Sequence, residues 1–157
     1  KGRLMFKRIL VPVDGSSTAN RGLEQAVQLA RGNGATLFLL HVVDEHIIVQ
    51  HAEAMATVTE EYLQALRESG RKVLAKAQSA ADRQGISCKT VLIENITGSV
   101  ADIIVAQAKK QRADVIVMGT HGRRGVRRLV LGSDAEGVVR ASPVPVLLVR
   151  VGTKRAA

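Results

Sequence analysis

Two loops of this chain combine residue types suited to ligand binding, and the second has the parts of an anion site. The first spans residues 12–16, where the carboxylate of Asp14 is suited to accept a hydrogen bond from a ribose hydroxyl. The second spans residues 119–133 and is rich in glycine and arginine. Glycines allow backbone N–H groups to approach a phosphate closely, and the N–H groups and dipole of a helix N-terminus attract negative charge. The two standard phosphate patterns, G-x-x-x-x-G-K-[ST] and G-x-G-x-x-G, do not occur.

The positive charge of the chain lies at its two ends. The net charge is +9, with four cations and no acids in residues 1–10 and eight cations and two acids in residues 119–157. Half of the latter form one cluster, Arg123, Arg124, Arg127 and Arg128. Such a cluster attracts a nucleotide phosphate, a nucleic acid or an acidic protein surface, or is simply a solvated basic loop. With two phenylalanines, one tyrosine and no tryptophan, the chain lacks the aromatic platform of single-strand binders.

The histidines and the single cysteine do not form a catalytic pattern. We expect His41 to be packed near a strand end and His121 to position a ligand. His46 and His51 are expected to be solvated, with a weak metal site as the alternative. The single cysteine, Cys88, excludes a disulfide within the chain and predicts a packed thiol in a reducing, cytoplasmic setting. No nucleophile–base–orienter set is visible, so we expect no enzymatic activity beyond slow nucleotide turnover.

The elements that must position these residues alternate between strand and helix. A length of 157 residues fits one domain, and no apolar run approaches the roughly 20 residues of a membrane-spanning helix. Apolar runs predict strands at 6–13, 36–43, 86–93, 113–118 and 144–149. A first helix is predicted after the Ser16–Ser17 turn and ends at 31–34. A second, long helix is predicted to close before Gly85. Two more helices are predicted after capping boxes at Ser99 and Ser133.

The long second helix is defined by an apolar stripe, with Gly70 as a possible bend. The members of that stripe are Met55, Val58, Tyr62, Leu66, Val73, Ala77 and Ala80. The first and fourth strands are apolar without alternation, which is expected of strands covered on both faces. The pattern predicts an α/β fold, a parallel sheet with helices on both sides. If the first and fourth strands are neighbours, both loops face one crevice at their carboxyl ends.

The second loop also matches a longer motif, G-x2-G-x9-G-[ST], at Gly119, Gly122, Gly132 and Ser133. With the segments 6–16, 40–44 and 142–149, this motif makes the chain resemble the universal stress protein family over residues 5–151. The intact motif resembles that of the ATP-binding members. We interpret residues 1–4, which precede Met5, as an expression remnant and 152–157 as a basic tail.

The resemblance implies a single doubly wound, Rossmann-like five-stranded parallel sheet of order 3-2-1-4-5. It also implies ATP with Mg²⁺ as ligands, a role in stress responses, and a homodimer through the edge strand, Val144 to Val151. The positions that resemble adenine and ribose contacts are Pro12, Val13, Asp14, Val42 and, under the base, Met118. The positions that resemble phosphate contacts are Gly119, His121, Gly122, Arg123, Gly132 and Ser133.

Two positions depart from the family pattern. Asp134 follows Ser133, where a small or apolar residue is frequent, so its carboxylate either opposes the phosphates, helps to hold Mg²⁺ or points away. Ser99-Val100 stands where a proline is frequent, which concerns a helix start. Two other functions remain open: a nucleotide-independent scaffold for an acidic protein partner, and a nucleic-acid binder that uses the arginine cluster.

Overall fold

The computed structural model describes residues 6–45, 60–95, 97–121 and 131–151. Its strands are β1 (Arg8–Pro12), β2 (Thr36–Asp44), β3 (Cys88–Asn95), β4 (Val115–Gly119) and β5 (Val146–Val149). Its helices are α1 (Ser17–Asn33), α2 (Glu60–Asp82), α3 (Val100–Lys110) and α4 (Ser133–Ala141). None of the helices in the described ranges is both long and apolar enough to cross a bilayer.

The five strands form one sheet in the order β3-β2-β1-β4-β5, and every neighbouring pair is parallel. The predicted fold class and strand order are therefore confirmed. The order reverses between β1 and β4, so the carboxyl ends of these two strands flank the crevice where such sheets bind ligands. The central residues of β1 and all of β4 are buried, as their unbroken apolar runs predict.

Two apolar clusters cover the two faces of the sheet. One joins α1 and α2 to the sheet through residues such as Leu23, Val27 and Leu74. The other joins α3 and α4 to the opposite face through Ile104 and Val138. Both layers are thus built from one side of each helix packed on a sheet that is buried on both faces.

The predicted stripe of the long helix is wrong in part. The buried residues of α2 are Gly70, Leu74, Ala77 and Ala81, whereas Tyr62 is 50% exposed. Val73 and Ala80 lie at the edge of the buried side, and Met55 and Val58 lie outside the described residues. Gly70 marks a close approach: a Cβ added there would meet His41 Cδ2 at 2.7 Å and Leu92 Cδ1 at 3.0 Å. The buried side of the helix includes Gly70, which has no side chain and therefore adds nothing to a stripe of large apolar residues.

The helix starts follow the predicted chemistry with one correction. Ser16 caps α1 by accepting from Ala19 N at 3.2 Å, and Ser99 caps α3 by accepting from Asp102 N at 3.1 Å. At α4 the N-cap is Gly132, not Ser133. Gly132 has extended dihedral angles and its carbonyl accepts the first helical bond, from Glu136 N at 2.9 Å. Ser133 is therefore the first residue inside the helix, and the predicted capping box is wrong, because a glycine N-cap has no side chain to accept its first bond.

Candidate functional site

The loop after β1 is held by its own backbone and by β2. Val13 N donates to Leu40 O at 2.8 Å, and Val13 O lies 2.7 Å from His41 Nδ1. Because a carbonyl oxygen only accepts, His41 Nδ1 carries the hydrogen of this bond. His41 is 7% exposed, so the prediction of a packed histidine is confirmed. Both backbone polar groups of Val13 are engaged, and its side chain is buried under α1 and α2.

Asp14 sits at the turn into α1. One of its carboxylate oxygens, Oδ1, accepts from Ser16 N at 2.8 Å, and Gly15 makes the turn with a φ of 81°. Ser16 then caps α1, so the turn and the helix start form one hydrogen-bonded unit. An ionised carboxylate has about four acceptor sites. The turn is therefore compatible with a hydroxyl as a further donor to Asp14.

The end of β4 packs directly against the first turn of α1. A Cβ added at Gly119 would meet the carbonyl carbon of Thr18 at 2.7 Å and its carbonyl oxygen at 2.8 Å. The Thr18 hydroxyl donates to the His121 carbonyl. No other residue type fits at 119 without moving the backbone of α1. The packing of the fold therefore requires this motif glycine, whether or not a ligand is bound.

The start of α4 is tied to the same strand end. Gly132 N donates to Thr120 O at 2.9 Å, and a Cβ added at Gly132 would meet Thr120 O at 3.0 Å. Since glycine has no side chain with which to cap, the amides at the start of α4 have no side-chain bond from their N-cap. The first N–H groups of a helix also have no partner within it. This end of α4 is therefore a cluster of donors beside the carboxyl end of β4.

His121 is half-buried at the mouth of the same loop. Its Nδ1 lies 3.1 Å from the Thr120 hydroxyl, and its backbone carbonyl holds Thr18. Thr120 itself is buried, and its N–H donates to Val149 O at 3.0 Å. These bonds fix the ring against the sheet, in keeping with a positioning role.

The predicted residues near the base differ in how accessible they are. Met118 is 6% exposed and belongs to the cluster under α3 and α4. Val42 packs on the same cluster but is half-buried, as is Pro12. Met118 can therefore only support a bound group from beneath. Val42 and Pro12 retain accessible surface at the ends of β2 and β1.

Direct contacts bring together the first turn of α1, residues 119–121 and the start of α4. Gly122 and Arg123 lie outside the described residues, as does the rest of the arginine cluster, and His46 and His51 do as well. Sequence reasoning missed Thr18 and Thr120, which join these segments. Their signal is faint because a threonine in the first turn of a helix or after a strand is common. Only the packing of α1 against the end of β4 brings Thr18 to residues 119–121.

A second polar cluster, also missed, holds the start of α2 to the ends of β2 and β3. Arg67 Nε lies 3.3 Å from Glu45 Oε1 and 3.1 Å from Glu94 Oε1, and Arg67 Nη1 lies 2.9 Å from Glu60 Oε1. Glu45 is 2% exposed. In the described ranges no three His, Cys, Asp or Glu side chains form a cluster suited to a metal ion. The arginine is thus the cation that these carboxylates surround.

Comparison with known proteins gives a consistent set of relatives. A model described as the universal stress protein family matches residues 5–150. A universal stress protein of Methanocaldococcus jannaschii is 34% identical over 150 residues, covering 95% of this chain and 85% of the relative. The universal stress protein YxiE of Bacillus subtilis is 32% identical over 151 residues, covering 93% of this chain and 100% of the relative.

Solved structures have the same fold. Another protein of Methanocaldococcus jannaschii superposes with a TM-score of 0.80 at 29% identity, over 96% of this chain and 99% of that one. A universal stress protein in complex with cAMP gives a TM-score of 0.65 at 23% identity, over 93% and 98%. The Archaeoglobus fulgidus protein with dAMP has a TM-score of 0.67 at 22% identity, over 92% of this chain and 98% of that one. The Arabidopsis thaliana protein with AMP has a TM-score of 0.65 at 17% identity, over 96% of this chain and 95% of that one. At these identities the three complexes show a shared fold.

Proposed function

The chain belongs to the universal stress protein family, and on this premise we propose that it is an ATP-binding regulatory protein of the stress response. ATP with Mg²⁺ is proposed to bind at the carboxyl ends of β1 and β4. The phosphates lie against the loop that contains Gly119, His121, Gly122, Arg123, Gly132 and Ser133. The base and ribose lie against Pro12, Val13, Asp14 and Val42, with Met118 beneath.

The observation that carries this proposal is the start of α4. Its N-cap is a glycine, Gly132, bonded to the end of β4, and Ser133 is the first residue of a nine-residue helix. Donor N–H groups and the positive end of a helix dipole favour a phosphate. Arg123, ten residues before Ser133 in the same loop, would add countercharge.

The adenosine half of the proposal is supported by chemistry and by relatives. Asp14 closes the turn after β1, and a carboxylate is the type of group that accepts a hydrogen bond from a ribose hydroxyl. Val42 and Pro12 offer accessible apolar surface for a base. Proteins of the same fold bind cAMP, dAMP and AMP, which are all adenine nucleotides. We assign no catalytic residue.

The site is tested by titrating ATP calorimetrically into two variants. Ser133→Glu places a carboxylate at the first turn of α4, where it stabilises the helix through the dipole but repels a phosphate. We expect ATP binding to fall at least about ten-fold, which corresponds to about 1.4 kcal/mol, while the melting temperature does not fall. Gly122→Val, at the motif glycine outside the described residues, should abolish binding. A Ser133→Glu protein that binds ATP like wild type would place the phosphates elsewhere.

A nucleotide-independent scaffold is the second candidate, and the glycine contacts favour it. Gly119 is required by packing against Thr18, and a Cβ at Gly132 would lie 3.0 Å from Thr120 O, so the motif could be retained without a ligand. Mass spectrometry of gently denatured protein discriminates the two, because copurified adenine nucleotide supports ATP binding and its absence favours the scaffold. A nucleic-acid binder would instead show affinity that falls steeply with salt.

A further inference from the structure

The carboxyl end of β4 lies along one row of α1, formed by Thr18 and Gly22. A Cβ added at Gly22 would meet Gly119 N and the carbonyl carbon of Met118, each at 3.3 Å. One turn earlier in the helix, the backbone of Thr18 lies so close to Gly119 that a Cβ on that glycine would meet it at 2.7 Å. Because glycines lie on both sides of this contact, the backbones of α1 and β4 touch, and the helix fixes where the strand ends.

The Thr18 side chain extends this contact beyond the strand. Its hydroxyl donates to the carbonyl oxygen of His121, two residues past the end of β4. Both residues are half-buried, and a carbonyl oxygen that loses its donor in such surroundings costs free energy unless it finds another. The hydroxyl of Thr18 therefore holds the first part of the loop after β4 against α1.

His121 is joined to the start of α4 through its neighbour, Thr120. The ring nitrogen Nδ1 of His121 lies 3.1 Å from the Thr120 hydroxyl, and Thr120 O accepts from Gly132 N at 2.9 Å. On the side of β5, Thr120 N donates to Val149 O at 3.0 Å. A displacement of His121 is therefore transmitted to the N-cap of α4, where the proposed phosphate donors lie.

Thr18 is also joined to the loop after β1. Its Oγ1 lies 3.3 Å from Ser16 Oγ. Since the hydrogen of the Thr18 hydroxyl goes to His121 O, Ser16 is the donor in this pair. The backbone N–H of Ser16 donates in turn to Asp14 Oδ1 at 2.8 Å. Three hydrogen bonds in series thus run from Asp14, the proposed ribose contact, to the carbonyl of His121 beside the proposed phosphates.

We infer that Thr18 is a positioning residue of the proposed nucleotide site, and this inference rests on that proposal. Its hydroxyl sets the place of residues 119–121 and, through Thr120, of the α4 N-terminus, against which the phosphates are proposed to lie. Asp14 keeps its bond to the Ser16 backbone when the hydroxyl is removed, so the ribose contact does not depend on it. The hydroxyl therefore makes the site select a nucleoside polyphosphate over the nucleoside, without touching either one.

The test is calorimetric titration of the full chain with ATP, and with adenosine by displacement of ATP. Thr18→Val replaces the hydroxyl with a methyl group of similar size and leaves His121 O without this donor. ATP binding should weaken about ten-fold, which corresponds to about 1.4 kcal/mol, whereas adenosine binding should stay within about two-fold of wild type. Thr18→Ser retains the hydroxyl and should bind ATP within about two-fold of wild type.

A second variant and a matched control accompany this pair. Thr18→Ala removes the same hydroxyl without placing a carbon against His121 O, so it should show the same loss of ATP affinity even if Thr18→Val folds poorly. The matched control is Thr36→Val, which makes the same chemical change at the start of β2, at the opposite end of the sheet from the crevice. It should bind both ligands like wild type. A thermal melt shows whether each variant is folded.

The outcomes separate this inference from the proposed function. A wild-type protein that binds no ATP would overturn the proposed function and, with it, the positioning role. If wild type binds ATP and the folded Thr18→Val and Thr18→Ala proteins lose neither ligand, or lose both by the same factor, only the positioning role is overturned. The same holds if Thr18→Ser binds ATP as weakly as Thr18→Val, because the hydroxyl is then not the group that matters.

Discussion

Gly119 and Gly132 illustrate how one residue can satisfy the fold and a proposed ligand at once. A Cβ at Gly119 would meet Thr18 at 2.7 Å, closer than a Cβ tolerates, and one at Gly132 would meet Thr120 O at a tight 3.0 Å. Substituting either glycine would therefore perturb packing before it reported on a nucleotide. Ser133 is the better probe, because it is exposed, follows the N-cap and tolerates a larger side chain.

Asp134 is expected to reveal its role through its dependence on Mg²⁺. It lies in the first turn of α4, where a carboxylate is favoured by the helix dipole but would approach the proposed phosphates. If it opposes them, Asp134→Val tightens ATP binding about two- to ten-fold, most at low Mg²⁺. If it holds the metal, the same change weakens binding only when Mg²⁺ is present. Calorimetry with and without Mg²⁺ separates the two cases. If Asp134→Val and wild type bind ATP equally in both conditions, the side chain points away from the ligand.

Cys88 is less isolated than the sequence predicts. Its Sγ lies 3.5 Å from Asp82 Oδ1. Burial, with the neighbouring Asp82 carboxylate, raises the pKa of the thiol from 9.0 to about 11. Between pH 9 and 11 the unfolded thiol is ionised while the folded one keeps its proton. The contribution of this group to stability is therefore present below pH 9 and is lost as the pH rises toward 11.

Alkylation measures this shift at a single site, because Cys88 is the sole cysteine of the chain. With iodoacetamide, the rate for folded protein should reach its midpoint near pH 11, and the rate for urea-unfolded protein near 9. Asp82→Asn should move the folded midpoint down, because it removes the neighbouring negative charge. Identical pH profiles for folded and unfolded protein would contradict the raised pKa.

At the scale of elements, α2 is positioned by the absence of a side chain. Gly70 faces the His41 ring, and that ring is fixed by its bond to Val13 O at 2.7 Å. The helix can therefore approach β2 only at a glycine. The buried row on its C-terminal side, Leu74 and Ala77, then follows from the helical period.

Gly70→Ala is expected to destabilise the protein although alanine is the better helix former. The new Cβ would lie 2.7 Å from His41 Cδ2, and the buried, hydrogen-bonded ring has no easy alternative position. Overpacking of this kind costs about 1–3 kcal/mol, more than the gain in helix propensity. The matched control is Gly32→Ala in α1, where nothing lies within 4 Å of the added Cβ and a gain of about 0.5–1 kcal/mol is expected. Urea unfolding measures both, and a stabilised Gly70→Ala protein would contradict the contact.

At the scale of the whole molecule, β5 is an edge of the sheet. Pro145 O accepts from Ile116 N at 3.0 Å and Val149 O accepts from Thr120 N at 3.0 Å. In a parallel pair, alternate residues bond to the same neighbour. Residues 146, 148 and 150 therefore direct their N–H and C=O groups away from β4. Leu147 and Val151 are 43% and 45% exposed, so this edge combines open backbone groups with apolar surface.

We propose a homodimer in which two such edges pair about a two-fold axis, over Val144 to Val151. Leu148→Pro removes an outward donor and leaves the bonds to β4 intact, so it should give a folded monomer. Val149→Pro, in contrast, would remove an inward donor and weaken β4–β5 pairing itself. Light scattering at roughly tens of micromolar protein, a range in which weak dimers form, measures the oligomeric state of wild type and Leu148→Pro. A thermal melt checks that the variant is folded. A monomeric wild type, or a Leu148→Pro protein that stays dimeric, would contradict it.

The sequence by itself determined the fold class, the strand order through the family resemblance, and the caps at Ser16 and Ser99. These follow from local pattern, because apolar runs, capping residues and motif spacing are written along the chain. The tertiary structure alone decided that α4 begins at Gly132 and that Gly70 faces His41. It also decided that Thr18 joins α1 to residue 121, and that Cys88 has Asp82 beside it. Each of these depends on contact between segments distant in the chain or on the backbone path of one loop. The order of residue types along the chain does not state how far apart such atoms lie in the folded protein.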